Sequence, residues 1–149
     1  MAQTYFGSAL RSGSGTLTDT TDGGFVVLLQ TSTVTTNADG TASSTSVTIP
    51  AGSQIVSIFI DQTQNEVVGG GTATAINATV GTAAAGTQYV SATDVIGGGR
   101  AALTFTAAQL TAMADIGSNQ SVVITVDPNG TISTTQAIVR LTVVYAQKV

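Results

Sequence analysis

Bulky apolar residues recur along this chain in short bursts, most of them alternating with threonine or serine and closed by glycine, proline, asparagine or aspartate. A period of two is the mark of a strand with one face buried. The densest burst is Ile55, Val56, Ile58, Phe59 and Ile60, and it follows Val47-Thr48-Ile49 and the break Pro50-Ala51-Gly52. Proline has no N–H for the ladder and glycine tolerates the turn. The spacing therefore predicts a strand over 47–49 and a central, heavily buried strand over 53–62. Asp61 and Gln62 are expected to return it to solvent, with the other strands arranged to cover it.

The same reasoning gives strands over 25–36 (apolar at its start, polar further on), 72–80, 88–95, 120–126 and 136–146, with a short one over 101–105. In the last long strand Ala137, Val139, Leu141, Val143 and Tyr145 share one face, and Ile138, Arg140, Thr142 and Val144 share the other. One buried face is typical of an antiparallel sheet. Turns are expected at Asp39-Gly40 and at Asp127-Pro128-Asn129-Gly130. Gly69–Gly71 and Gly97–Gly99 close loops. A helix is predicted over 106–115: Thr106 and Gln109 have capping-box spacing, Leu110, Met113 and Ala114 form an apolar stripe, and Gly117 stops it.

Many short strands, evenly spaced, with one short helix, define an all-β chain: an antiparallel β-sandwich, jelly-roll-like. No internal repeat points to a solenoid or propeller. Residues 7–24 are rich in Gly, Ser, Thr and Asp, with little patterning beyond Leu10 and Leu17. The chain thus divides into an extended N-terminal arm, 1–24, and a sandwich domain, 25–149; by composition alone the arm also reads as a flexible leader.

Composition narrows the role. The 149 residues suit one domain with a real core. They are 42% hydrophobic but only 8% charged, against about 25% in an ordinary soluble protein. Abundant β-branched residues and low net charge argue against disorder. Such a composition fits a β-rich protein that works in an assembly or outside the cell. Four cations, Arg11, Arg100, Arg140 and Lys148, face eight acids, for a net charge of −4. So few scattered cations disfavour nucleic acid and an anionic membrane surface as partners. Met1–Phe6 lacks the basic and apolar regions of a signal peptide, and no apolar run approaches a membrane span.

There is no histidine and no cysteine, which removes the usual general base, the usual nucleophile pairs and the commonest metal ligands. No cofactor or metal is expected. Asp19 with Asp22, and Asp61 with Glu66, flank loops, but without the spacing of a calcium loop they read as solvated acids. Asp61 and Asp94 are the strand-end carboxylates that a glycosidase reading would need. Gly97-Gly98-Gly99-Arg100 lacks the spacing of a phosphate loop and reads as a flexible hairpin with Arg100 as a salt-bridge or contact residue. Glycosylation-type triplets at Asn77, Asn119 and Asn129 read as chance matches. Tyr5, Tyr89 and Tyr145 read as strand-packing residues; an exposed Tyr89 beside the Gly69 and Gly97 loops is the contact set that a glycan-binding reading would use.

The order of features from Val47 onward resembles small structural proteins of tailed bacteriophages: VTIPAGSQIVSIFID, then TATAINATVGTAAAGTQYVSATDV, the helix AAQLTAMADIG, then SVVITVDPNGTIS and the closing RLTVVY. The resemblance covers about two-thirds of the chain and excludes the arm. It implies a β-sandwich virion component of the capsid decoration (cement) or head-fibre type, non-enzymatic, on the outer surface of the capsid. The expected partner is the major capsid protein, bound across neighbouring subunits, and a homo-oligomer is expected, a trimer favoured. The alternative is a tail- or head-fibre module that binds a host-surface glycan. In the arm, Tyr5, Phe6, Leu10 and Arg11 are the candidate partner-binding residues, being apolar or basic in an otherwise bland leader.

Overall fold

Among the described residues, eight strands and one helix form from this pattern. A computed structural model describes residues 25–66, 69–132 and 134–148. The elements are β1 (Phe25–Thr35), β2 (Ser43–Ile49), β3 (Ser53–Gln64), β4 (Ile76–Gly81), β5 (Val90–Asp94), β6 (Gly99–Arg100), α1 (Ala107–Ala114), β7 (Gln120–Pro128) and β8 (Ile138–Lys148). They make two four-stranded sheets, ordered β1-β8-β3-β6 and β2-β7-β4-β5. Every pairing is antiparallel. The expected all-β antiparallel sandwich is therefore the observed architecture.

First pairs with last, second with seventh, third with sixth and fourth with fifth. This is one long antiparallel hairpin, its tip at β4–β5, folded so that its strands alternate between two layers. The Pro50–Gly52 break sits where the chain passes from one sheet to the other. Gly52 adopts φ +72° there, and its N–H donates to Ile116 O at 2.6 Å. The Asp39-Gly40 turn forms as expected: Gly40 has φ +82°, and Asp39 accepts from the Thr41 N–H and hydroxyl.

The core lies between the sheets. Val139, Leu141, Val143 and Tyr145 of β8, with Ala137 just before it, are buried there, as are Val122, Ile124 and Val126 of β7. Two expectations change here. β3 is interior and heavily buried as expected, but it is not the strand the others are built on: it meets β6 at Asp61 and Gln62, whereas β8 is paired along its length on both sides. A dense apolar run reports burial, which β3 has, and says nothing about which strands flank it. Nor does β3 return to solvent at Asp61 and Gln62; both are buried, and the strand runs on to Gln64. A bulge between Ile55 and Ser57 shifts the alternation, so Ile55, Ile58 and Ile60 face inward while Val56 is 55% exposed.

The helix begins with the expected capping box between Thr106 and Gln109. Its buried residues, however, are Gln109 and Met113; Leu110 and Ala114 face solvent. It ends before Gly117, because Asp115 is already extended and Ile116 is bridged to Ser53. The expected strand over 101–105 is irregular chain. Asp127 and Pro128 belong to β7 rather than to a turn, and Asn129 docks the chain by accepting from the Thr74 and Ala75 N–H groups at 2.8 Å.

Candidate interaction surface

The outer face of the β1-β8-β3-β6 sheet is the most distinctive surface among the described residues. Cross-strand partners point to the same side of a sheet, so the register builds this face rung by rung. Val27, Ala146 and Gln54 make the first rung, and Leu29, Val144 and Ser57 the second. Thr31, Thr142 and Phe59 make the third; Thr33, Arg140, Asp61 and Arg100 make the fourth. The bulged Val56 adds to the first two rungs. Val27 and Leu29 are each 65% exposed.

One end of the face is therefore apolar and open to water. Leu28, on the opposite side of β1, is also exposed. Two residues along, Gln30 closes the sandwich edge, its Nε2 donating to Thr48 O at 2.9 Å and to the Tyr145 hydroxyl at 3.1 Å. Beyond that point β1 shows apolar side chains on both faces. A strand with two apolar faces is ordinarily covered on both.

The other end is ionic. Arg100 Nε lies 2.8 Å from Asp61 Oδ1, and Arg140 Nη2 lies 3.1 Å from Asp61 Oδ2. The Arg100 guanidinium also stacks over the Phe59 ring, 4.5 Å from its centroid. The hydrogen bond from Arg100 holds the Asp61 carboxyl below the ordinary aspartate value, against the opposing pull of burial, with Arg140 adding to the lowering. Gly97, Gly98 and Gly99 deliver Arg100 to this position through three successive positive φ angles, a path that only glycine follows readily. Gly98 N–H anchors it, donating to Gln62 Oε1 at 2.6 Å. The glycine-rich stretch is thus the setting for a salt bridge, as expected of Arg100, although it crosses between sheets and does not turn a hairpin. Arg140 as a second partner of Asp61 was not foreseeable, since only the β3–β8 register brings the two together.

The other sequence candidates are placed as follows. Asp61 and Asp94 lie on different sheets. Asp94 Oδ1 accepts from the Ile76 and Ile96 N–H groups, so the two carboxylates form no catalytic pair. Glu66 accepts from the Gln62 side chain. Tyr89 is buried, 3% exposed, which corrects the exposed contact residue of the glycan reading; burial pushes its phenol above the ordinary value. Asn119 accepts from the Ala51 N–H, a structural task like that of Asn129. Tyr5, Phe6, Leu10, Arg11, Asp19 and Asp22 lie outside the described residues.

A shallow groove of about 390 Å³ between α1 and the start of β5 is lined by Thr87, Gln88, Ser91, Thr106 and Gln109. The buried Gln109 side chain is spent internally, on Thr87 O, Ser91 Oγ and the Thr106 N–H. Among the described residues no cluster of three or more His, Cys, Asp or Glu side chains is placed to hold a metal ion. No helix among them is long and apolar enough to cross a membrane.

No family model and no curated protein matches this chain. A solved structure does: a chain of the cyanophage Pam1 capsid asymmetric unit, at a TM-score of 0.56 and 24% identity, over 93% of this chain and 98% of that one. At this identity the likeness is one of fold. The two chains are nearly coextensive, so the whole sandwich is shared rather than one motif of it.

Proposed function

We propose that this chain is a non-enzymatic structural protein of a bacteriophage virion, of the capsid decoration or cement type. It sits on the outer surface of the capsid, binds across neighbouring major capsid subunits and stabilises the shell. The observation that carries this reading is the end-to-end likeness in fold to a chain of a phage capsid. The strand order supports it, because the nested pairing of eight strands in two sheets suits a jelly-roll-like sandwich, an architecture that recurs in viral capsid proteins. An apolar, exposed sheet face and a charge content of 8% also suit a surface that is mostly interface, where central charges would need desolvation.

In this reading the arm, residues 1–24, grips the shell through Tyr5, Phe6, Leu10 and Arg11. Copies assemble as a homo-oligomer, a trimer favoured, and symmetric copies add avidity to weak single contacts. The test uses particles assembled without this chain. The full-length protein should bind them to saturation at a fixed ratio, and cryo-EM should find copies repeated over the icosahedral lattice. Deleting residues 2–24 should abolish binding while leaving the sandwich folded. Undiminished binding by the truncated protein would remove the arm's role, and density confined to a tail or a single vertex would remove the cement role.

A further inference from the structure

Among the described residues the charges are unevenly placed, the arginines in the strands of one sheet and most carboxylates outside those strands. In the strands of the β1-β8-β3-β6 sheet Arg100 and Arg140 stand against the single carboxylate Asp61. Elsewhere among the described residues stand Asp39, Glu66, Asp94, Asp115 and Asp127 with no cation at all. Asp127 and Asp94 occupy one rung of the opposite sheet, both paired with Asn77. A protein of net charge −4 therefore has one face with a surplus of positive charge. That face is also the one with Val27, Leu29 and Val56 open to water.

We infer that the outer face of the β1-β8-β3-β6 sheet docks on an apolar protein surface bearing carboxylates, which in the reading above belongs to a shell subunit. Val27, Leu29 and Val56 meet the apolar part. Arg100 and Arg140, each keeping donors that Asp61 does not use, meet the carboxylates. The inference rests on the virion reading and adds to it a second contact beside the arm.

A second copy is the poorer occupant. Face to face, two copies would bring Arg100 and Arg140 toward their like. With the cationic sheet of one on the acidic sheet of the next, the contact joins opposite sides of the sandwich, and repetition gives an open stack, not a closed oligomer.

The chain has no cysteine, so a single introduced thiol reports this face without interference. Full-length Leu29→Cys should react rapidly with a thiol reagent when free and at least tenfold more slowly when bound to particles assembled without the wild-type chain. Ser46→Cys, exposed on the opposite sheet, should react equally in both states. Arg140→Gln, which leaves Arg100 on Asp61, should weaken binding severalfold at low salt and by less at high salt. The inference is overturned if Leu29→Cys stays reactive in the bound state, or if Arg140→Gln binds like wild type at every salt concentration. Slow reaction in the free chain also overturns it: independent of concentration, it assigns the cover to the chain's own arm; dependent on concentration, to a second copy. Failure of the wild-type chain to bind particles at all is a different result, and removes the virion reading itself.

Discussion

Asp61 sits between two guanidinium groups on an otherwise neutral stretch of sheet, and its environment makes a signed prediction. Its folded-state pKa lies below the ordinary value, mainly through the hydrogen bond from Arg100. A depressed carboxylate stabilises the fold above its unfolded pKa of about 4, and that contribution disappears as pH falls through the lowered value. Charged hydrogen bonds contribute about 1.5–3 kcal/mol, but both arginines are largely in water and their attraction is screened. Asp61→Asn should therefore cost about 1–2 kcal/mol at pH 7. In chemical denaturation across a pH series, the gap to wild type should close below about pH 4. A gap that persisted unchanged into acid would mean that the carboxylate charge contributes nothing. Arg100 was legible as a salt-bridge residue because the glycines before it leave it little else to do locally. The burial of Asp61 was not, because an acid at the end of an apolar run looks like a strand end until the register of β3 against β8 and β6 is known.

The helix shows the same division at the scale of an element. Its start was legible because a capping box is local: Thr106 and Gln109 satisfy each other's backbone N–H groups at 3.2 and 2.9 Å. Its buried face was not, because the apolar stripe of Leu110, Met113 and Ala114 competes with a polar anchor that depends on distant chain. Gln109 Nε2 donates to Thr87 O and Ser91 Oγ, both at 3.1 Å, and this rotates Leu110 outward. Tyr89, read from the sequence as a strand-packing residue, is buried as that reading expects, by the loop that carries it back along β4, where its N–H donates to Val80 O. The two roles of Gln109 separate experimentally. Thr106→Ala removes only the cap and should cost about 1 kcal/mol. Gln109→Ala removes the cap partner and also leaves Thr87 O and Ser91 Oγ without their donor, adding about 1–3 kcal/mol. Thermal unfolding of the two variants side by side distinguishes them, and equal losses would show that the tertiary anchor carries no energy.

For the whole molecule, the nested pairing joins the two ends of the sandwich: Phe25 stands opposite Lys148 and Thr35 opposite Ile138. Apart from β4–β5, the pairings join segments distant in sequence, so folding is expected to be slow for a domain of this size. It also makes β8 the strand on which both neighbours depend. That hierarchy was beyond the sequence, since alternation identifies a strand but not its place in a sheet. It yields a paired test of which face is inside. Leu141 is fully buried at the middle of β8, in register with Ser32 on one side and Ile60 on the other. Leu29 is the same residue type on the same sheet, facing out. Leu141→Ala should cost about 2–5 kcal/mol in a single cooperative transition. Leu29→Ala in the free protein should cost no more than about 0.5 kcal/mol. Urea unfolding of both variants measures the difference directly. Comparable losses would mean that the outer face is already packed within the free chain, leaving nothing apolar there for a partner to cover. A large difference means that the molecule folds without using Val27, Leu29 and Val56, and that their exposure contributes nothing to its own stability.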